Sequence, residues 1–449
     1  MKEKITCFFT SPRTREYLRE KSLFFDKIDK FRQQKTEFTL VINETRKFQK
    51  ILGLGYSFEH SSCYNLGLLP KNKRDKTINL LVNPIKGAGM NLWRLCIGTS
   101  DFTGTPWYTY DDIPPEEEDL DLQQFSIEKD QNYIIPIVKR AQTINPDLKF
   151  FASPWSPPAW MKSSKKICGG KLLPDYYNVY AQYFYKYIKA YEKAGIPIYA
   201  ITVQNEPGVD NEKMPSCKWT AEEEKTFIRD HLGPLFEKKQ IKTKIWCYDH
   251  NFGFVRKPAK YPEIILRDKE AAEYIDGIAY HHYGGIPKYM RLLKEKFPHI
   301  NLYFTEGSVF GLKGAQKLAK YFLNGVKSYN GWVPFIDSNK GPNNGPHRCK
   351  NTIIQLKKPE NHVLINFDYF LLIHYTKFIQ EGAYHIFSEG LNKRKISEIS
   401  FLNPDNSIIS IITNNRLRDA KIGINWHNKY TQILSPKKSI TTICINKNK

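Results

Sequence analysis

YAITVQNEPGVD, from Tyr199 to Asp210, is an apolar run that stops abruptly at Asn205-Glu206-Pro207. A run with so little polar alternation suits a strand buried on both faces, as in a parallel sheet covered by helices. Its end delivers an amide and a carboxylate side by side. The proline behind them cannot donate to a sheet ladder. Taken alone, Glu206 reads equally well as an ordinary loop acid and Pro207 as an ordinary strand terminator. The rest of the chain has to choose.

Comparable short segments recur along the sequence, with helix-length amphipathic stretches between them. They are residues 51–58 (ILGLGYSF), 89–97 (GMNLWRLCI), 148–155 (LKFFASPW) and 198–204 (IYAITVQ), then 244–250 (KIWCYDH), 276–283 (DGIAYHHY), 301–307 (NLYFTEG) and 330–337 (NGWVPFID). The stretch DYYNVYAQYFYKYIKAYEKAG repeats aromatics at three- and four-residue spacing and stops at Gly195, as an amphipathic helix does. Eight strand–helix units predict an α/β fold, a (β/α)8 TIM barrel, over an open doubly wound sheet. GLGYSF lacks the third glycine of a dinucleotide-binding fingerprint.

The two ends differ from this pattern. Residues 1–48 hold strand-like pieces (KITCFF, EFTLVI), and period-two segments follow residue 380 (AYHIFSEG, ISEISFLNPDNSIISIIT, AKIGINW, SITTICI). A small β-sandwich side domain built from both termini is predicted. Residues 1–48 and 381–449 would supply it, and 49–380 the barrel, with FDYFLLIHYTKFI (367–379) as the last barrel helix. A chain of 449 residues with 41% hydrophobic content accommodates both.

The eight cysteines are scattered, with no C-x-x-C pair. This argues against a disulfide framework and a zinc site and fits a reducing compartment. With no signal-peptide core at the amino terminus and no transmembrane run, a cytoplasmic protein is expected. The net charge of +22 is spread along the chain, and its densest runs (LPKNKRDK, SSKK, LNKRK) read as solvated loops. Nucleic-acid binding would call for clustered Lys and Arg with interleaved aromatics, so no nucleic-acid partner is expected. The basic surface does suit peripheral contact with an anionic membrane. Oligomeric state is not legible.

In such a barrel the chemistry sits at the carboxyl ends of the strands. Those positions carry Glu59, Arg94, Trp155, Asn205, Glu206, Asp249, His250, His281 to Tyr283, Glu306 and Asp337. Singly each is ambiguous: Arg94 reads as a structural ion-pair partner, and His281 and His282 as satisfied core histidines. Glu206 and Glu306 stand out, since each closes a long apolar run and precedes a residue suited to a sharp exit. Two carboxylates facing one another across a barrel mouth are what glycoside hydrolysis requires. Trp155, Tyr283 and Trp332 offer flat faces to a sugar ring, and Asn205 and Arg94 offer donors to its hydroxyls. His281 is counted with these sugar contacts.

FFASPWSPPAWMK, ITVQNEP, DGIAYHHY, YFTEGS and KFIQEGA, collinear from about Phe48 to Gly382, together resemble glycoside hydrolase family 30, and within it the glucosylceramidase-type members. The resemblance implies Glu206 as general acid/base, with a raised pKa, and Glu306 as an ionised nucleophile flanked by Arg94 and Tyr283. It implies Asn205 on the sugar 2-hydroxyl, and Asp101 and Trp155 on its outer hydroxyls. Neither metal nor cofactor is called for. Two departures touch the rim: His282 stands where such relatives carry tryptophan, and GWVPFIDSNKGPNNGP replaces their Trp-Asn, with Phe335 the candidate ring. The expected activity is retaining hydrolysis of a β-glucoside, glucosylceramidase-like, on a carbohydrate or glycolipid substrate. The alternatives are a β-xylosidase or β-1,6-glucanase of the same family and a catalytically silent carbohydrate- or lipid-binding barrel.

Overall fold

The computed structural model describes residues 4–14, 16–27, 36–254, 256–349, 351–392 and 395–446. Lys393 and Arg394 of the LNKRK run lie outside them. Eight parallel strands form the barrel: β1 Gly53–Tyr56, β2 Leu92–Ile97, β3 Lys149–Pro154, β4 Ile198–Thr202, β5 Lys244–Asn251, β6 Ile275–His281, β7 Asn301–Glu306 and β8 Val326–Gly331. From β2 to β8 each pairs with the next in chain order, and β8 pairs with β1. The seam between β1 and β2 is closed by Asn91 N–H on Leu54 O (3.1 Å) and Phe58 N–H on Arg94 O (2.8 Å). Gly55 makes that approach possible, because a Cβ there would lie 1.9 Å from the Leu92 carbonyl oxygen.

The barrel interior is built in layers two residues apart, the period of a strand. An apolar layer of Leu92, Phe151, Ala200, Trp246, Ala279 and Tyr303 fills the end where the strands begin. Two positions on, along the same strands, stand Arg94, Ser153, Thr202, His281 and Thr305, all fully buried. On β5 the step is three, from Trp246 to Asp249. Tyr248 (φ 76°) and Asp249 (φ 48°) are left-handed there, and the β5–β6 register shifts beside them. That bulge turns Asp249 inward.

The eighth strand lies earlier than 330–337. It is VKSYNG, whose Ser328 and Asn330 are buried polar residues inside the barrel, so it carries little hydropathic signal. The apolar segment after it, Phe335–Asp337, pairs instead with Ile354–Lys357 in a separate three-stranded sheet. Pro334 lies between the two and has no N–H to continue a ladder.

The side domain is a β-sandwich of strands from both termini. Lys4–Ser11 pairs with Ser439–Ile445, and Phe38–Lys50 pairs with both Tyr384–Glu389 and Ala420–Trp426. Ile5, Cys7 and Ile443 share one core with Ile422, Ile424 and Trp426. Two of its strands, Glu16–Phe24 and Lys429–Ser435, had no sequence signal; both are largely exposed or half-exposed and strongly polar. Among the described residues no helix is long and apolar enough to cross a membrane.

Candidate active site

At the carboxyl ends of the strands a cavity of about 510 Å³ opens, lined by Asp101, Trp155, Asn205, Glu206, Tyr283, Glu306 and Trp332 among others. Asn205 and Glu206 follow β4. The Asn205 N–H donates to Pro154 O (2.8 Å), and the Glu206 N–H donates to Asp249 O (3.0 Å). Glu206 itself is left-handed (φ 49°), a strained backbone that those two bonds help to hold. Glu306 ends β7.

Arg94 lies beneath the cavity floor with no exposed surface. Its guanidinium donates to Glu306 Oε2, to Asn205 Oδ1 (2.8 Å), to Asp249 Oδ2 (2.8 Å) and, through Nε, to Ser153 Oγ (3.1 Å). Asp249 also accepts from Ser153 (2.9 Å), Thr202 (2.8 Å) and Thr305 (2.6 Å). Burial alone would push Asp249 up, yet Arg94 and His281 hold it well below the usual carboxylate range. The Tyr283 ring stands on the exposed rim, and its hydroxyl donates to Glu306 Oε1 (2.8 Å). Trp155 and Trp332 stack with centroids 5.3 Å apart, forming one apolar wall.

His281 joins the carboxylates. Its Nδ1 lies 3.0 Å from Glu206 Oε1 and 3.9 Å from Glu306 Oε1, and its Nε2 lies 3.0 Å from Asp249 Oδ1. Burial opposes its charge, but Glu306 and Asp249 push its pKa up to about 10. The His250 Nδ1 is 3.4 Å from Glu206 Oε1 on the other side.

Several expectations are corrected by this arrangement. Arg94 and His281 are not sugar contacts, because both are fully buried and their polar atoms are taken by protein groups. Glu59 is no mouth residue; it accepts from the Ser62 N–H as the N-cap of helix His60–Gly67. Asp337 sits in the three-stranded sheet and pairs with Lys358 (2.8 Å). His282 turns away from the cavity onto Tyr321 and Phe252, and Phe335 is fully buried in the barrel core. Burial pushes both carboxyls up; His250 and His281 oppose it at Glu206, and His281 and Arg94 oppose it at Glu306.

Its place at a strand end alone gives Asp249 no role and does not single out its partners Ser153, Thr202 and Thr305. The two-residue step from Phe151, Ala200 and Tyr303 was the available signal. His347 also escaped notice. It comes from the loop after the eighth strand and places Nδ1 3.1 Å from Asp101 Oδ2. Burial pushes the Asp101 carboxyl up, and His347 opposes that.

A closed parallel barrel presenting two glutamates across a sugar-sized cavity defines a glycoside hydrolase. The profile of the glycosyl hydrolase family 30 TIM-barrel domain matches residues 51–322, and that of the family's beta sandwich domain matches 382–443. The chain belongs to glycosyl hydrolase family 30. It is 32% identical to "Putative glucosylceramidase 4" of Caenorhabditis elegans over 83% of this chain and 76% of that one. It is 29% identical to an endo-1,6-beta-D-glucanase of Neurospora crassa over 77% and 74% of the two chains. The solved structure of the endo-beta1,6-glucanase BT3312 superposes with a TM-score of 0.89 at 27% identity, covering 99% of this chain and all of that one.

Proposed function

We propose that the chain hydrolyses a β-glucoside with retention of configuration, Glu306 attacking the anomeric carbon and Glu206 serving as acid and then base. In the first step a Glu306 oxygen forms a bond to the anomeric carbon as the glycosidic bond breaks. The leaving oxygen takes a proton from Glu206. In the second step Glu206 takes a proton from water, whose oxygen displaces Glu306 and frees the sugar. Arg94 and Tyr283 hold one Glu306 oxygen each, which orients the nucleophile. Asn205, beside Glu206 and fixed by Arg94, would bond the sugar 2-hydroxyl, and Asp101 and Trp155 its outer hydroxyls.

One observation carries the reading. Glu206 and Glu306, a hundred residues apart, each bring an oxygen within 4 Å of the same His281 nitrogen. The two oxygens therefore lie no more than about 6.9 Å apart, a span that includes the range of about 5–5.5 Å used by retaining enzymes. The first substrate class is a glucosylceramide-like β-glucoside; the names of the relatives favour β-1,6-glucan as the second. A β-xyloside is kept as the third class. A silent binding barrel is disfavoured because both glutamates occupy the cavity. A reducing, cytoplasmic setting is proposed on the cysteines, all eight of them free.

The test is a panel of aryl β-glucoside, β-xyloside and β-glucuronide with fluorescent glucosylceramide and β-1,6-glucan, and NMR of the first-formed anomer. Release of the inverted anomer would refute the double displacement. Turnover of none of the panel would refute the hydrolase.

A further inference from the structure

At the opposite end of the barrel, where the strands begin, two adjoining cavities of about 680 and 650 Å³ separate the barrel from the sandwich. They share Lys50 and Lys327. Six cations line them: Arg46, Lys47, Lys50, Arg291, Lys294 and Lys327. The single lining carboxylate, Glu381, is engaged by Lys149.

Lys327 is half-buried, and its Nζ donates to an amide oxygen, Asn301 Oδ1, at 3.3 Å. The nearby carboxylate, Asp276, is already taken by Lys244, by the Trp246 indole (3.1 Å) and by the Tyr303 hydroxyl (2.7 Å). Lys294 donates to a backbone carbonyl, Ile300 O (2.7 Å). Lys50 has no carboxylate partner among the described residues. Burial lowers the pKa of Lys327, Asp276 opposes this, and Lys244, Lys294 and Lys50 lower it further. Lys294 and Lys327 are half-buried and Arg46, Lys47, Lys50 and Arg291 are exposed, and gathering like charges beside two half-buried lysines is unfavourable until an anion arrives. Lysine supplies compact charge and arginine a planar fork, and both match phosphate oxygens. Its cations come from three elements, the sandwich strand Phe38–Lys50, β8 and the helix Lys288–Lys296, so a ligand that engages all three carries several anionic groups.

We infer that this basin binds a ligand carrying more than one phosphate group, which bridges the foot of the barrel and the sandwich. The site is separate from the glycosidase cavity, so it stands or falls independently of the proposed hydrolysis.

Calorimetry of the full chain with inorganic triphosphate, at ionic strength held constant with chloride, tests the inference. One-to-one binding is expected, weakened at least about tenfold in Lys327→Met and in Lys50→Met, the loss of one charge-assisted bond. Triphosphate should also raise the thermal midpoint of the wild type more than of either variant. Without ligand, Lys327→Met should melt higher than the wild type, because an uncompensated charge is gone. If that variant does not fold, Lys50→Met, whose side chain is exposed, decides alone. Vesicles containing a phosphoinositide with several phosphate groups form a second arm: binding lost in the variants assigns the site to a lipid headgroup, whereas binding of triphosphate alone assigns it to a free phosphate compound. Affinity unchanged by the substitutions, or matched by chloride, overturns the inference.

Discussion

Replacing Arg94 with methionine removes the cation on which the polar layer of the barrel is built. Four groups lose a donor at once: Glu306, Asn205, Asp249 and Ser153. Asp249 has no exposed surface, so its charge is left in the interior with only His281 to oppose it. Removing one partner of a buried pair in this way costs about 3–5 kcal/mol. Whole-domain stabilities are about 5–15 kcal/mol, so a large share of the barrel's stability goes. Arg94→Lys retains the charge but cannot serve all four acceptors from one ammonium, and should fall between. The diagnostic variant is Arg94→Met with Asp249→Asn, because neutralising Asp249 removes the orphaned charge. A coupling of about 2–3 kcal/mol is expected between the two substitutions. Urea unfolding followed by tryptophan emission measures it, since Trp155 lies 4.8 Å from the guanidinium and reports the barrel directly. Effects that add to within about 0.5 kcal/mol would refute the reasoning, because they would mean that Arg94 and Asp249 do not stabilise one another.

Glu306→Gln should abolish turnover, whereas Glu206→Ala should lose about 10²–10⁴-fold on alkyl glucosides and much less on activated aryl glucosides, whose leaving groups need little protonation; equal losses on both would remove Glu206 as the acid. Glu224 is fully buried with Oε2 unpartnered, and burial raises its pKa to about 7. Its folded pKa exceeds the unfolded one, so its contribution is intact below about pH 4.5 and is lost as pH rises through about 7. Glu224→Gln should therefore gain about 3 kcal/mol over the wild type at about pH 8 and nothing at about pH 4, read from unfolding midpoints; a gain equal at both pH values would contradict a buried ionisation. Gly55→Ala should cost more than about 3 kcal/mol or abolish soluble expression, since its Cβ would overlap the Leu92 carbonyl at the barrel seam. A normal melting curve would show that the seam is open there.

Seven of the eight barrel strands are legible as apolar runs, because a parallel strand covered on both faces has few positions left for polar residues. The eighth escapes for the opposite reason: Ser328 and Asn330 face the barrel interior, where the Ser328 hydroxyl donates to Phe304 O and the Asn330 amide donates to Leu92 O. Glu206 and Glu306 are legible because each ends such a run. Their surroundings are not. Arg94 reads as a possible sugar ligand until the closed barrel shows it fully buried, with four of its bonds made to protein groups. His281 reads as a sugar contact until it is seen beneath the cavity, tied to three carboxylates.

The order of strands, the two acids that follow β4 and β7, and the sandwich character of the ends come from local pattern, since the period of a strand and the stop of an apolar run are written in neighbouring residues. The meeting of Arg94, Asp249 and His281 is decided only when eight strands close into one ring. Partners as far apart as Arg94 and Glu306 touch because each strand has one register against the next, and a single-residue slip would turn every one of these side chains to the other face. The left-handed turn at Tyr248 and Asp249 makes such a slip on purpose, and it puts the carboxylate of Asp249 where an alternating pattern would have put the ring of Tyr248.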